Sequence, residues 1–385
     1  MSDDNYTPER HVLKDGTEIF AVDCSQIKLD ALLDRRKMLA AGALGFGAFL
    51  MAACGGSGGD SSSSSSSSSD TSGATTASGG DVGDGKTIAA SFNGWNVYCQ
   101  QEATGILAAL AGTKYKFIGA QANFDAKTEI TNLDNLIVQS PAALLIQPNV
   151  AAGADAGARK ATAAGVATFN LLWPSPTEES PDYVAVTRVD GVAGGTLMAD
   201  YLGKDSALKG EILVVTGVPG QGFSEEILSG LKEGLKAYPD LTIADVQPGF
   251  FQAGPAQKAV QTMLTAHPKA VAIADFAAEM GVGIAQFQKQ RNLTDIKHIT
   301  SDGNSQMVPW LKEGKYLTAC RYYSSADQGK VGATIARNFL ETGAKPAQYI
   351  TLIEQLNTLP DTIEATVERL PLIYPEYTDQ IKSIA

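Results

Sequence analysis

Histidines and metal-binding cysteine patterns are scarce in this chain of 385 residues. Only three histidines occur, and none stands in a Ser/His/Asp arrangement or a metal-ligand motif. The four cysteines form no CxxC or Cys/His pattern, so zinc and thioredoxin-type chemistry have no support. The glycine-rich segment 217–222 lacks both the Lys-Ser/Thr of a phosphate loop and GxGxxG spacing. The sequence therefore favours a protein that is not an enzyme and uses no cofactor or metal.

Positive charge is also in short supply. The formal net charge is −12, and a Lys/Arg cluster occurs only in the first 53 residues. A nucleic-acid binder needs cationic side chains to neutralise phosphates, so we expect no nucleic-acid partner. Hydrophobic residues make up 44% and charged residues 19% of the chain, which is typical of a globular protein, and the length allows two domains.

Cys99 and Cys320 lie in the body of the chain, and an oxidising compartment would allow them to pair. The sequence does not show whether their Cα atoms come within the roughly 4.4–6.8 Å that a disulfide spans. Both a disulfide and two free thiols therefore stay open.

An export signal is the strongest local pattern. The basic residues 35–37 precede a 16-residue apolar run, Met38–Ala53, which is too short to cross a ~30 Å hydrocarbon core. Paired arginines before such a run are typical of the twin-arginine export signal. The run ends in Leu-Met-Ala-Ala-Cys, which resembles a bacterial lipobox and predicts that Cys54 is lipidated; the alternative is a buried apolar helix. We expect residues 1–53 to be a prefix and signal peptide.

The segment 54–86 is predicted to be a flexible tether. It contains nine consecutive serines, Ser61–Ser69, and has too little apolar surface to form a core. About 30 such residues reach roughly 30 Å, at 5–6 Å × √n. The predicted location is the periplasm or the outer face of the cytoplasmic membrane, with the protein held by its lipid.

From Thr87 onward, short apolar runs alternate with alanine-rich helical patterns. The nearly continuous apolar run Ala142–Gln147 fits a strand buried on both faces, and the alternation restarts after Pro181. Some ten strands exceed one sheet, so we predict an α/β fold with two doubly wound parallel-sheet lobes. Ligands of such sheets bind beyond the carboxyl ends of the strands.

The segments EITNLDNLIVQSPAALLIQPN (129–149), GEILVVTGVPG (210–220) and HITSDGN (298–304) occur in this order. With their spacing, the stretch from about 87 to 354 resembles type I periplasmic solute-binding proteins, in particular the ribose- and galactose-binding branch. The resemblance implies two lobes joined by a three-segment hinge, with these divisions: lobe one 87–187 plus 325–352, lobe two 188–321, and hinge crossing with C-terminal tail 353–385.

The resemblance also implies a function. The protein would be the solute-binding component of an ABC importer, a monomer that captures a sugar or polyol by lobe closure and delivers it to a membrane permease. A ligand sensor that partners a membrane receptor is one alternative. A binder of a cationic amine is another, because the carboxylates of Asp302, Asp275 and Glu225 together with the ring of Trp95 suit a cation.

Side chains at predicted strand ends are the candidate ligand contacts. Amides both donate and accept hydrogen bonds, which suits a ligand rich in hydroxyls, and aromatic faces suit sugar C–H groups or a cation. The candidates are Asn93, Trp95, Asn96, Gln147, Asn149, Asn170, Trp173, Arg188, Phe223, Glu225, Asp275, Asp302, Arg321 and Tyr322.

The candidates differ in how they fit the family's pattern. Asp302 matches the family's Asp-Gly at a strand end, whereas Asn170-Leu171 replaces its Asp-Arg pair. Glu225 stands where an arginine is usual, and we hypothesise that Arg188 supplies that charge. The structural alternatives are a packed core role for Trp95 and a solvated helix-start carboxylate for Glu225.

Overall fold

The computed structural model describes residues 9–12, 18–23, 86–172, 182–303, 305–346, 349–352 and 355–358. The predictions on the signal peptide, Cys54, the serine-rich tether and Trp173 lie outside those residues. Within them, no helix has both the length and the apolarity needed to cross a membrane.

Strands and helices alternate through most of the described chain. The strands are β1 (Glu9–Val12), β2 (Glu18–Asp23), β3 (Thr87–Phe92), β4 (Lys116–Gln121), β5 (Ala143–Ile146), β6 (Ala167–Asn170), β7 (Ala185–Val189), β8 (Gly210–Thr216), β9 (Leu241–Pro248), β10 (Ala272–Asp275), β11 (Lys297–Ser301), β12 (Ala319–Tyr322), β13 (Tyr349–Leu352) and β14 (Gln355–Thr358). The helices are α1 (Val97–Leu110), α2 (Ala126–Val138), α3 (Ala151–Ala163), α4 (Gly191–Gly203), α5 (Gly222–Leu235), α6 (Ala253–Ala266), α7 (Ala278–Arg291), α8 (Val308–Glu313) and α9 (Ser325–Thr342).

The strands form two sheets, one for each lobe. The lobe-one sheet has the order β1-β2-β4-β3-β5-β6-β7-β13, and the lobe-two sheet has the order β14-β12-β11-β10-β8-β9. From β4 to β13 and from β12 to β9, neighbouring strands are parallel. The prediction of an α/β fold with two parallel-sheet lobes is confirmed.

Three strands are antiparallel to their neighbours, which the sequence did not predict. β1 and β2 form a hairpin from the N-terminal prefix, and β2 pairs with β4 at the edge of lobe one. β14 runs antiparallel to β12 in lobe two. β2 contains an apolar run, residues 19–22, but only its pairing with β4 shows that the prefix joins the lobe-one sheet.

The chain passes between the lobes three times. It enters lobe two after β7, returns after β12, and passes again between β13 and β14, which lie in different sheets. In lobe one, α1 and α9 pack so closely that a Cβ atom on Gly105 would collide with the backbone of Ala326. Residues that follow strands of both sheets lie close together, so the strand carboxyl ends of the two lobes face each other.

Candidate functional site

A cleft of about 330 Å³ of empty space lies between the lobes. Side chains from strand ends of both sheets contribute to it, as expected for ligand sites in open parallel sheets. Its lining residues are Asn93, Asn96, Tyr98, Cys99, Phe124, Gln147, Leu172, Gln221, Phe223, Phe251, Phe276, Ala277, Asp302 and Tyr323. Five predicted ligand residues meet here: Asn93, Asn96, Gln147, Phe223 and Asp302.

Among the residues that line the cleft, each lobe has one buried polar side chain with unused hydrogen-bonding capacity. Gln147 follows β5 in lobe one, and neither its Nε2 nor its Oε1 has a hydrogen-bond partner among the described residues. Asp302 follows β11 in lobe two, and its Oδ1 likewise has no partner within the described chain. Buried polar groups are nearly always hydrogen-bonded in native proteins, so these atoms are available to a bound molecule.

The surroundings of Asp302 favour its neutral form. Burial and the nearby Glu279 carboxylate raise the pKa of Asp302 to about 8, while Arg321 opposes the shift. Its Oδ2 accepts a hydrogen bond from the backbone N–H of Ala278, at 3.3 Å. A neutral carboxyl both donates and accepts, so near neutral pH Asp302 matches a ligand hydroxyl.

Asn93 and Asn96 are fixed by local hydrogen bonds. Asn93 Nδ2 donates to the carbonyl of Pro148 at 3.2 Å. The Asn96 side chain caps α1 by accepting from the backbone N–H of Cys99 at 3.1 Å. Both amides therefore lie at the cleft wall in set orientations.

Aromatic side chains form most of the remaining wall. Phe124 and Tyr98 come from lobe one, and Phe223, Phe251 and Phe276 come from lobe two. Tyr323, after β12, stacks edge-on against both Tyr98 and Phe223 with ring centroids 6.0 Å apart. Such faces suit the C–H surface of a small ring or polyol.

No lysine, arginine or histidine of the described chain lines the cleft. Arg321, predicted as a ligand contact, is fully buried behind the wall. Its Nε and Nη2 donate to Ser301 Oγ at 3.1 and 2.6 Å. Its guanidinium lies over the rings of Phe223 and Tyr323, at 5.3 and 5.2 Å. Arg321 thus supports two aromatic walls and is not itself part of the cleft lining.

Three other charged candidates lie away from the cleft. Asp275 is fully buried beside His298 Nε2 and Thr300 Oγ1, at 2.7 and 2.8 Å, which occupies its carboxylate within lobe two. Arg188 lies 3.9 Å from Glu226 in an ion pair, so the hypothesis that it replaces a ligand-binding arginine gains no support. Glu225 is an exposed residue in the first turn of α5.

Three uncharged candidates also pack outside the cleft lining. Asn149 is buried, and its backbone N–H donates to Glu129 Oε1 at 2.9 Å. Asn170 accepts from the backbone N–H of Leu172 at 3.0 Å, which closes a turn at the end of β6. Trp95 packs its ring against Phe92, with centroids 5.5 Å apart.

The sequence predicted that Tyr322 contacts the ligand, whereas the structure places the next residue, Tyr323, in the cleft lining. Side chains alternate between the two faces of a strand. Tyr322 packs with Trp310 and Leu317 on one face, so Tyr323 and Arg321 share the other. β12 ends at Tyr322, and the residue directly after it, Tyr323, is the one that lines the cleft.

The sequence prediction missed several lining residues, among them Phe124, Gln221 and Phe251. Phe124 and Phe251 follow β4 and β9. An aromatic residue within a few positions of a strand end was the available signal. Gln221 is the residue directly before α5, whereas the sequence prediction named Phe223 and Glu225 in the first turn of that helix.

Cys99 and Cys320 are free, buried thiols, so the disulfide alternative is wrong. Cys99 contacts Asn93 Oδ1 at 3.4 Å, whereas Cys320 contacts the carbonyl of Asp302. Burial raises the pKa of both thiols, which keeps them unreactive. No cluster of His, Cys, Asp and Glu in the described chain is arranged to hold a metal ion.

Two sheets with a cleft between their strand ends define a two-lobed ligand-binding protein. The family model described as a periplasmic binding protein domain matches residues 88–345, and the chain belongs to this family. Membership places the protein outside the cytoplasm, in a family of transport binding proteins and not of enzymes.

Curated relatives agree with this assignment. The ribose import binding protein of Salmonella typhimurium is 24% identical over 236 residues, which cover 61% of this chain and 78% of that protein. The xylitol-binding protein of Mycolicibacterium smegmatis is 24% identical over 201 residues, which cover 51% of this chain and 56% of that protein.

Solved structures share the fold. A carbohydrate transporter solute-binding protein from Agrobacterium radiobacter, in complex with D-arabinose, has a TM-score of 0.66 and 22% identity, and the match covers 74% of this chain and 99% of that one. A twin-arginine translocation pathway signal protein from Burkholderia phytofirmans has a TM-score of 0.68 and 21% identity, with 77% and 96% covered.

Proposed function

We propose that this protein captures an uncharged sugar or polyol between its lobes and delivers it to the permease of an ABC importer. The observation that carries the proposal is the pair of buried polar groups, Gln147 and Asp302, on opposite sides of one aromatic cleft. A ligand that bonds to both stabilises the closed form, because only closure brings the two lobes to it. The names of the ribose-, xylitol- and arabinose-binding relatives support the same ligand class.

A thermal-shift screen of pentoses, hexoses, polyols and amines tests the proposal. A ligand at 100 times its Kd adds about 2.7 kcal/mol to the free energy of unfolding. We expect a sugar or polyol to raise the melting temperature. If only amines raised the melting temperature, the ligand would be a cation and not a sugar. If no compound of any class raised it, the proposal would be contradicted.

Two variants locate the binding. Gln147→Ala and Asp302→Ala each remove polar atoms from the cleft, and we expect each to weaken binding by about 10- to 100-fold, because a hydrogen-bonding group of the ligand is then buried unpaired. Gln139→Ala is the matched control, because that glutamine is exposed at the end of α2. Calorimetric titration with equal affinities for all three variants would place the ligand elsewhere.

We propose further that the chain is exported by the twin-arginine route, is lipidated at Cys54 and acts as a monomer. The support is the sequence Arg35-Arg36 before the apolar run, the lipobox-like residues 50–54, and the name of the Burkholderia relative. Cleavage before Cys54 would remove β1 and β2 with the leader and would leave β4 as an edge of the lobe-one sheet.

Export and anchoring are separable by substitution. Replacing Arg35 and Arg36 by lysine should keep the protein in the cytoplasm, because the twin-arginine route reads the pair itself. Cys54→Ser should leave the chain unlipidated and uncleaved, whereas Cys24→Ser, the control, should change nothing. Membrane fractionation and the mass of the mature N-terminus check these outcomes, and light scattering checks the monomer.

A further inference from the structure

The N-terminal strands β1 and β2 cover one edge of the lobe-one sheet. β2 pairs antiparallel with β4 in one unbroken register, from Ile19 opposite Ala120 to Asp23 opposite Lys116. β1 pairs in turn with β2 and is the outermost strand on that side. Without these two strands, β4 would be the outer strand and would present unpaired backbone groups along its six residues.

The equivalent edge of lobe two has its own protection. β9 lies beside β8 as β4 lies beside β3, and no further strand of the described chain pairs with it. It contains Asp245 and Pro248, and its register with β8 is irregular next to Leu213. Charges, prolines and irregularities of this kind keep a sheet edge from pairing with other chains.

β4 has little of this protection. Its sequence, KFIGAQ, contains one charge, Lys116 at its start, and no proline, and its register with β3 is regular throughout. Such an edge is most hazardous during folding, when strands of other incompletely folded chains are available to pair with it. β1, by contrast, has Glu9, Arg10 and His11 among its four residues. The two N-terminal strands thus replace a largely uncharged edge by a charged one.

The chain connection decides whether this pairing persists. A two-stranded hairpin is at most marginally stable by itself, so β1 and β2 depend on β4 for their structure. Residues 24–86 connect β2 to β3 and include the proposed cleavage position before Cys54. While the chain is intact, the pairing is intramolecular and benefits from an effective concentration that a separate fragment does not have. A cut in the connection therefore weakens the pairing without changing any contact.

We propose that residues 9–23 are a removable edge cap. They pair with β4 in the uncleaved chain, guard this edge against strands of other chains while the protein folds, and dissociate once the chain is cut before Cys54. The release step rests on the cleavage proposed above, whereas the pairing step does not.

Hydrogen exchange tests the pairing in the full chain, which carries Cys54→Ser so that it stays uncleaved. Phe20→Pro combined with Ala21→Pro removes two adjacent N–H groups of β2, one of which points to β4 because these groups alternate in direction along a strand. At low protein concentration, the β4 amides that face β2 should exchange at least about tenfold faster. Exchange in β9 should not change. Asn5→Pro combined with Tyr6→Pro, ahead of β1, is the matched control and should leave both strands as they are.

Two further measurements test the guarding and the release. On refolding from urea, the Phe20→Pro, Ala21→Pro chain should scatter more light and yield less monomer than the control chain. A protease recognition sequence in place of Ser61–Ser69 allows the folded chain to be cut in vitro, independently of the export signal. After the cut, the prefix fragment should separate from the lobes in size-exclusion chromatography, and β4 should exchange as fast as in the proline variant.

The outcomes are distinct. Equal exchange of β4 in the proline variant and its control would overturn the pairing, and equal refolding yields would overturn the guarding role. A prefix fragment that stays on the lobes after the cut would overturn the release. If the protein in cells keeps residues 1–53, the proposed cleavage fails, while faster β4 exchange in the proline variant still establishes the edge cap.

Discussion

The backbone N–H of Tyr98, in lobe one, donates a hydrogen bond to Oε1 of Glu279, in lobe two, at 3.3 Å. Tyr98 is in the first turn of α1, where backbone N–H groups have no partner within the helix. Asn96 already caps the N–H of Cys99, so the carboxylate of the other lobe completes this helix end. A negative charge is favourable there because of the helix dipole.

Glu279 should therefore stabilise the closed form. We expect Glu279→Ala to weaken ligand binding about tenfold, in line with a net value of about 1.5 kcal/mol for a hydrogen bond to a charged group. Glu279→Gln, which keeps an acceptor oxygen, should lose less. Glu225→Gln is the control, since that carboxylate is exposed in the first turn of α5. Calorimetry with Glu279→Ala as tight as wild type would rule out this role.

Arg321→Lys should reduce stability more than ligand affinity. A lysine cannot reproduce the two N–H bonds to Ser301 or the planar stack on Phe223 and Tyr323. We expect a loss of about 2–3 kcal/mol in urea unfolding, with Kd at low temperature within about threefold of wild type. Arg291→Lys, on the exposed end of α7, controls for the exchange itself. Lost binding at unchanged stability would instead make Arg321 a ligand contact.

Glu102→Gln should stabilise the protein at neutral and basic pH. Glu102 is fully buried, and neither carboxylate oxygen has a hydrogen-bond partner in the described ranges, so burial raises its pKa well above the usual value. The folded state then keeps a proton that the unfolded state releases above its ordinary pKa of about 4.3. Stability conferred by that proton is complete below this value and is lost as pH rises toward the folded pKa.

Urea unfolding across pH checks this sign. The variant should gain about 1.4 kcal/mol over wild type for each pH unit in which only the folded state holds the proton. Both proteins should keep some decline with pH, because burial also raises the pKa of Glu129 to about 7. Equal slopes for wild type and Glu102→Gln would show that Glu102 does not titrate in this way.

The thiols of Cys99 and Cys320 should stay reduced. Reductant should leave the melting temperature of the protein unchanged, because no bond between them is present to break. Alkylation of the native protein should spare both residues, which are buried, and alkylation after unfolding should modify both. Peptide mapping that recovers a linked pair would contradict the structure.

Much of the fold was predictable because its signals are local. The apolar run around β5 and the alternation of strands with helices predicted parallel sheets, since a strand covered on both faces has few polar residues. The place of β1 and β2 in the lobe-one sheet could not be predicted in this way. Their place in the sheet depends on pairing with β4, almost 100 residues away in the chain, and not on a pattern of their own.

The site was predictable only in part. Strand ends located Asn93, Gln147 and Asp302, because strand carboxyl ends meet at one edge of a parallel sheet. Asp275 and Arg321 also stand at strand ends, yet His298, Thr300 and Ser301 bind them inside lobe two. Which polar side chains face a ligand depends on which neighbours already bind them.

The sequence by itself determined the two-lobed architecture and the general position of the cleft, because hydrophobic periodicity and strand ends are properties of short segments. The tertiary structure decided which side chains meet in that cleft. Tyr323 faces it in place of Tyr322 because side chains alternate along a strand. Phe124 and Phe251 meet there because the tertiary fold brings two loops from different lobes together, with ring centroids 6.0 Å apart.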